Sequence, residues 1–328
     1  MMALEGGALS KRAEGEGFVV HAVPKSMMRV RGAAKLRELL EEKKFQIVHV
    51  HDPHALSLAW MARAHKQAVL LAHRRVANRL TQSAIGLARY RAARRVVAIS
   101  KYVAQSVLLS GISKEQIEII YEGVEIPPVT TAEARAASRK HLRLPTDARL
   151  IGCVGYLLAE KGQEVLIRAM PAVLAAHPNC RLVLAGDGPC RKPLEALARE
   201  LKVAEAVIFL GFVENIAEVY RALDVFVFPS FAEPLGTSLL AAMAYGLPVI
   251  GVRSGGVPEI VKDARDGLLV QEPEPKKYAK AINALLSDPA KATQLGDAAR
   301  ETAESRFSAD VMVENTAALY KRLLEERA

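Results

Sequence analysis

A chain of 328 residues, 51% hydrophobic and 25% charged, is long enough for two domains with separate cores and too apolar for wholesale disorder. The net charge is +9, from 45 basic against 36 acidic residues, and no apolar run reaches the roughly 18–20 residues of a membrane span. Three cysteines without a CxxC pair, and no His/Cys cluster at zinc-ligand spacing, point to free thiols in a reducing cytoplasm and to no metal.

The first residues, 1–17, carry glycines and mixed charge instead of the apolar core of a signal peptide. Short apolar runs then alternate with segments of helical period. In the first half the runs Phe18–Val23, Ile47–His51, Ala68–His73, Val96–Ser100 and Ile117–Tyr121 predict strands. Residues Glu125–Arg149 break the alternation with Pro127, Pro128 and Pro145, placing a linker at 129–148 between a domain at 1–128 and one at 149–308. The second half predicts strands at Leu150–Tyr156, Arg181–Ala185, Val207–Phe212, Val225–Pro229, Pro248–Gly251 and Gly267–Val270, and a last helix within 309–328. Strands and helices taking turns imply α/β architecture: doubly wound parallel sheets covered by helices on both faces.

Charge is uneven. From His65 to Lys101 there are nine Lys and Arg residues and no Asp or Glu. Such a block suits either a phosphorylated acceptor or an anionic membrane surface, or is simply a solvated basic face. Nucleic acid is disfavoured, since no aromatic platform accompanies the charge.

In an open parallel sheet, ligands bind on the loops at the carboxyl ends of the strands. Four such loops in the second half carry chemistry. Lys161 precedes Gly162 at a helix start, where an ammonium and the helix dipole both favour a phosphate. Gly186-Asp187-Gly188-Pro189 allows close approach of backbone to ligand. Glu233-Pro234-Leu235-Gly236-Thr237-Ser238 sets a carboxylate for sugar hydroxyls beside consecutive backbone N–H groups for a diphosphate. Arg253-Ser254-Gly255-Gly256-Val257-Pro258-Glu259 has glycines for tight packing and a proline at the first helical position.

Taken in order, Glu160-Lys161-Gly162, Ala185-Gly186-Asp187-Gly188-Pro189, Phe209-Leu210-Gly211-Phe212, Asp224 to Ser230, Glu233-Pro234-Leu235-Gly236, Ala242 to Ile250 and Gly255 to Glu259 resemble the donor half of group 1 (family 4) glycosyltransferases. The likeness covers nearly all of Leu150–Ala328. It implies the GT-B fold, two Rossmann-like domains facing across a cleft, and a metal-independent, anomer-retaining enzyme that uses a nucleotide-diphosphate sugar and no other cofactor. By position, Lys161 would contact the diphosphate, Glu233 the transferred sugar, and Pro234, Leu235, Gly236 and Thr237 its phosphate and sugar. Tyr156, Gly186, Gly211, Phe212, Arg253 and Gly255 would border the donor. The last helix resembles the segment that crosses back to the N-terminal domain. Two positions depart from the family: Tyr156 stands where an arginine is usual, and Ala241 where a second glutamate holds the ribose.

The first half resembles the family's acceptor domain more loosely. His73, at a strand end, is the first choice for a catalytic donor to a sugar hydroxyl or leaving phosphate. His51, His54, Arg74 and Arg75 are acceptor or phosphate candidates. The family usually begins with a strand, a glycine-rich loop and a helix ahead of the counterpart of Phe18–Val23. That unit, roughly 30 residues, is expected to be missing here. The reading is a cytoplasmic glycosyltransferase acting on a carbohydrate or lipid-linked acceptor, such as an envelope polysaccharide precursor, with peripheral contact at the inner membrane face. The alternatives are a GT-B 2-epimerase of nucleotide sugars, and a non-catalytic protein that binds them.

Overall fold

The computed structural model describes residues 1–23, 30–80 and 83–327. Two compact units emerge, one formed by Met1–Ile99, Val103–Ile120 and Thr316–Ala328, the other by Ser100–Tyr102 and Tyr121–Asn315.

The first unit opens with β1 (Met2–Leu4), α1 (Ala8–Gly15) and β2 (His21–Val23), followed by α2 (Val30–Lys43). Next come β3 (Ile47–Val50), α3 (Pro53–Met61), α4 (Ala64–Gln67), β4 (Val69–Arg74), α5 (Ala84–Arg91), β5 (Arg95–Ala98), α6 (Lys101–Leu108) and β6 (Ile117–Ile119). Strands β3 to β6 form one parallel sheet in chain order. Both of its faces are covered, so its strands read as apolar runs: Leu70, Leu71, Val96 and Val97 are buried.

The second unit holds α7 (Ala132–His141), β7 (Arg149–Val154), α8 (Gln163–Ala176), β8 (Cys180–Ala185), α9 (Arg191–Glu200), β9 (Val207–Gly211), α10 (Ile216–Ala222) and β10 (Val225–Phe228). It continues with α11 (Thr237–Ala244), β11 (Val249–Val252), α12 (Val257–Ile260), β12 (Leu268–Val270), α13 (Pro275–Ser287), α14 (Pro289–Phe307) and the start of α15 (Ala309–Glu325), which belongs to the first unit from Thr316 onward. Its six parallel strands run in the order β12-β11-β10-β7-β8-β9. This is a doubly wound sheet whose first strand, β7, lies at the centre and whose winding reverses between β7 and β10. Close packing sets the small residues: a Cβ on Gly152 of β7 would fall 2.2 Å from a methyl of the buried Leu223.

All eleven expected strands form, ten of them within two residues of their expected ends. The eleventh, Phe18–Val23, narrows to His21–Val23, because Phe18 and Val19 lie exposed. In 1–17, where no element is expected, β1 pairs with β2 (Met2↔His21, Leu4↔Val23) and α1 follows the left-handed Gly6. Ser10 Oγ donates to the carbonyls of Leu4 and Gly7, tying α1 to the strand. A short strand–glycine–helix unit therefore does precede β2, a correction to the sequence reading. Its strand spans three residues and its helix buries only Ser10 and Ala13, too little to give a periodic signal. Among the described residues β1 and β2 form a two-stranded sheet separate from that of β3 to β6.

The 129–148 stretch carries α7, which is anchored to the second unit. Arg135 and Arg139 both pair with Asp224, at 2.9 and 2.8 Å, and Asp224 also accepts from the Leu150 N–H. No helix among the described residues is long and apolar enough to cross a membrane.

Candidate functional site

The carboxyl ends of the second unit's strands bring the four loops together in two groups. On the β7–β8–β9 side, the Leu157 N–H donates to the Asp187 carbonyl and the Gly186 N–H to the Gly211 carbonyl. Gly186 has φ +138°, and a Cβ there would sit 2.0 Å from the Gly155 carbonyl oxygen, so only glycine fits. Tyr156 and Phe212 are exposed at the rim of this group.

On the β10–β11 side, the loop after β10 turns through Ala232, at φ +56°, before reaching Glu233. A left-handed alanine is strained backbone, and such strain gathers at ligand-binding loops. It is held by the Ala232 N–H donating to Ser254 Oγ, and the Gly256 N–H donates to the Glu233 carbonyl. Gly255, at φ +60°, leaves no room for a Cβ, which would lie 2.3 Å from that same carbonyl oxygen. The expected pairing of two loops through Gly255 and Gly256 is thus realised in packing. Leu235 is buried and serves the core, while Gly236 (φ +109°) caps α11 and Thr237 starts it, exposed. The first-turn amides of α11 are thereby left unpaired within the helix.

Lys161 arrives at the Glu233 loop through a different route. Gly162 takes φ +71° as it caps α8, and its Cα side packs on Pro229, whose carbonyl oxygen lies 2.7 Å from an ideal Cβ position. The consequence is a direct ion pair: Lys161 Nζ is 2.8 Å from Glu233 Oε2. Ser230, which is buried and had no role in the sequence reading, donates its hydroxyl to the same oxygen at 2.5 Å. Ammonium, carboxylate, hydroxyl and helix-start amides thus share one small region. Arg253, the other expected cation, pairs instead with Asp263 at 2.9 Å.

In the first unit, His49 of β3 and His51, one residue past its end, lie on the same side, since extended residues two apart point the same way. Parallel register (Val50↔Ala72) sets His73 of β4 beside them. The three rings stack with centroids 4.4–5.3 Å apart. Burial, and then the neighbouring His51, pushes His73 down to about 3; burial acts likewise on His49, also to about 3. Both are therefore neutral imidazoles near neutral pH, so His73 would act as an N–H donor or a lone-pair acceptor, not as a cation. His54 is exposed at the start of α3, behind the Asp52 cap. Arg74 is buried and donates to the Asn78 carbonyl, so its charge closes its own loop, whereas Arg75 is exposed. Much of the basic block is engaged in the same way. Arg94 and Arg95 pair with Glu326, Arg91 donates to the Gly111 carbonyl, and Arg89 bonds Ser57 and lies over Trp60.

A family model for glycosyl transferases group 1 matches residues 134–302, and one for glycosyltransferase family 4 matches residues 5–126. The chain belongs to the group 1 (family 4) glycosyltransferases. An uncharacterised glycosyltransferase of Methanocaldococcus jannaschii is 34% identical over 236 residues, 70% of this chain and 60% of that protein. A D-inositol 3-phosphate glycosyltransferase of Acidothermus cellulolyticus is 36% identical over 234 residues, 68% of this chain and 52% of its own length. The chain spans about half the length of many of the relatives it matches. Among solved structures, Anabaena HepE in complex with UDP and glucose superposes with a TM-score of 0.84 at 22% identity, covering 98% of this chain and 90% of that one. The fold of this family member is accordingly GT-B.

Proposed function

We propose that this group 1 family member is a retaining glycosyltransferase that moves a sugar from a nucleotide-diphosphate donor to an acceptor. The observation that carries the reading is the Lys161–Glu233 pair at 2.8 Å beside the free amides of α11. As the anomeric C–O bond breaks, its electron pair leaves with the diphosphate. Lys161 and the oriented amides meet that charge where it develops, which is the most effective kind of transition-state stabilisation. Glu233, held by Ser230, fixes the sugar hydroxyls and so the orientation of the reacting carbon. Both groups belong to the chain itself, and no step here is routed through a metal.

Acceptor recognition is assigned to the first unit, where Arg75 presents an exposed charge while both ring nitrogens of His73 are buried. A phosphorylated or lipid-linked acceptor is favoured by relatives named for inositol phosphate and for a monoacylated phosphatidylinositol monomannoside. Peripheral binding at a cytoplasmic membrane face rests on charge alone; vesicles of anionic lipid that bind no better than neutral ones would remove it.

The test is a calorimetric screen of UDP- and GDP-sugars, with Glu233→Ala and Lys161→Ala as controls. If no sugar nucleotide binds, the transferase reading fails. A second reading, a protein that binds nucleotide sugars without turnover, is favoured by Tyr156 and Ala241 standing in place of the usual arginine and glutamate. It wins if a donor binds and is never consumed in the presence of membrane extract.

A further inference from the structure

We propose that the first unit holds a divalent-metal site, of the kind that takes zinc, formed by His49, His51 and His73. One ring nitrogen from each residue lies within 4.8 Å of the others. Bonds of about 2.0–2.1 Å to a tetrahedral zinc set nitrogens about 3.4 Å apart. Closing the cluster therefore requires movements of about 1.4 Å or less, within the reach of imidazole rotation.

The second observation concerns unmet hydrogen-bonding capacity. Both ring nitrogens of His73 and Nε2 of His49 are buried without a partner. Buried polar atoms are nearly always paired, so orphaned nitrogens on two adjacent rings of the cluster call for a ligand. Their chemistry selects its type. Imidazole nitrogens present lone pairs suited to zinc. Tyr320 supplies the outer support: its hydroxyl lies 2.7 Å from His49 Nδ1, and a proton shared on that side leaves Nε2 as the free lone pair. His51, at the exposed edge of the cluster, gives an entry path and leaves a fourth position for water.

Charges around the site act in both directions. Arg75 lies close enough to disfavour a cation at all three rings, and Asp52 next to His51 offsets part of that. The site should therefore bind more weakly than a closed structural zinc centre. It lies in the first unit, whereas Lys161 and Glu233 lie in the second, so its fate is independent of the donor reading.

The experiment uses the full chain stripped with a chelator, then titrated with Zn²⁺ by calorimetry and with Co²⁺ by visible absorption. The expected result is one ion per chain, with the strong visible bands of four-coordinate cobalt. His73→Gln and, separately, the more exposed His51→Gln should each weaken binding tenfold or more. Circular dichroism and melting curves verify that both variants fold, and His51→Gln keeps the test decisive if His73→Gln does not. Absence of stoichiometric binding, a pale six-coordinate cobalt spectrum, or binding unchanged in His51→Gln overturns the proposal. Donor binding measured with chelator present reports on Lys161 and Glu233 alone.

Discussion

Replacing Gly255 by alanine should move Glu233 and thereby test whether the proposed sugar-binding loop is held by backbone packing. The added Cβ would lie 2.3 Å from the Glu233 carbonyl oxygen, where ordinary contact begins at about 3.4 Å, so one of the two must retreat by about 1 Å. The backbone adds a separate cost, because φ +60° in an alanine is unfavourable by about 1–2 kcal/mol. Gly256→Ala separates these effects. Its Cβ would lie 2.4 Å from the Pro234 carbonyl oxygen, but its φ of −80° is open to any residue. Both variants should displace the loop, with Gly255→Ala less stable than Gly256→Ala by about 1–2 kcal/mol. A misplacement of about 1 Å is enough to lower turnover roughly 100-fold. Thermal melting gives the difference in stability, and calorimetry with the best-binding nucleotide sugar gives the effect on the site. Donor affinity and turnover of Gly255→Ala within about twofold of the parent would refute the reasoning.

Three further outcomes are expected. Lys161→Ala should weaken donor binding by about 10- to 150-fold in calorimetry, the equivalent of about 1.5–3 kcal/mol for a hydrogen bond to a charged group; a loss below threefold would remove Lys161 from the diphosphate. Asp224→Ala leaves Arg139, itself buried, without its carboxylate, and should cost about 3 kcal/mol and lower the melting temperature by about 6–12 °C. Burial pushes Cys153 and Cys180 up to about 12, so a thiol reagent at pH 8 should modify at most Cys190 in the native chain and all three cysteines once it is unfolded.

The strands were readable because a parallel sheet covered on both faces needs continuous apolar runs, as in Val225–Phe228, where all four residues are buried. β1 escaped because its three residues gain their partner from nineteen residues downstream, not from local pattern. The Glu233 loop was legible as a strand end followed by helix-start residues. Its contact with Lys161 was not, since that depends on Gly162 seating against Pro229. The histidine cluster was also hidden. His49 and His51 show the period of a strand, but His73 joins them only through the β3–β4 register, and each histidine weighed singly looked ordinary. Arg74 and Arg253 show the converse: charge in the right loop was visible, but not that Arg74 already donates to the Asn78 carbonyl and Arg253 already pairs with Asp263.

The salt link between Lys161 and Glu233 has one more consequence. An anion that captures the lysine takes it from the carboxylate, which is then left to the Ser230 hydroxyl. A bare diphosphate offers nothing in exchange, whereas one carrying a sugar brings hydroxyls to the abandoned oxygen. On the proposed roles of Lys161 and Glu233, the loop would favour the loaded nucleotide over the spent one, and the carboxylate reclaiming its lysine would help product release.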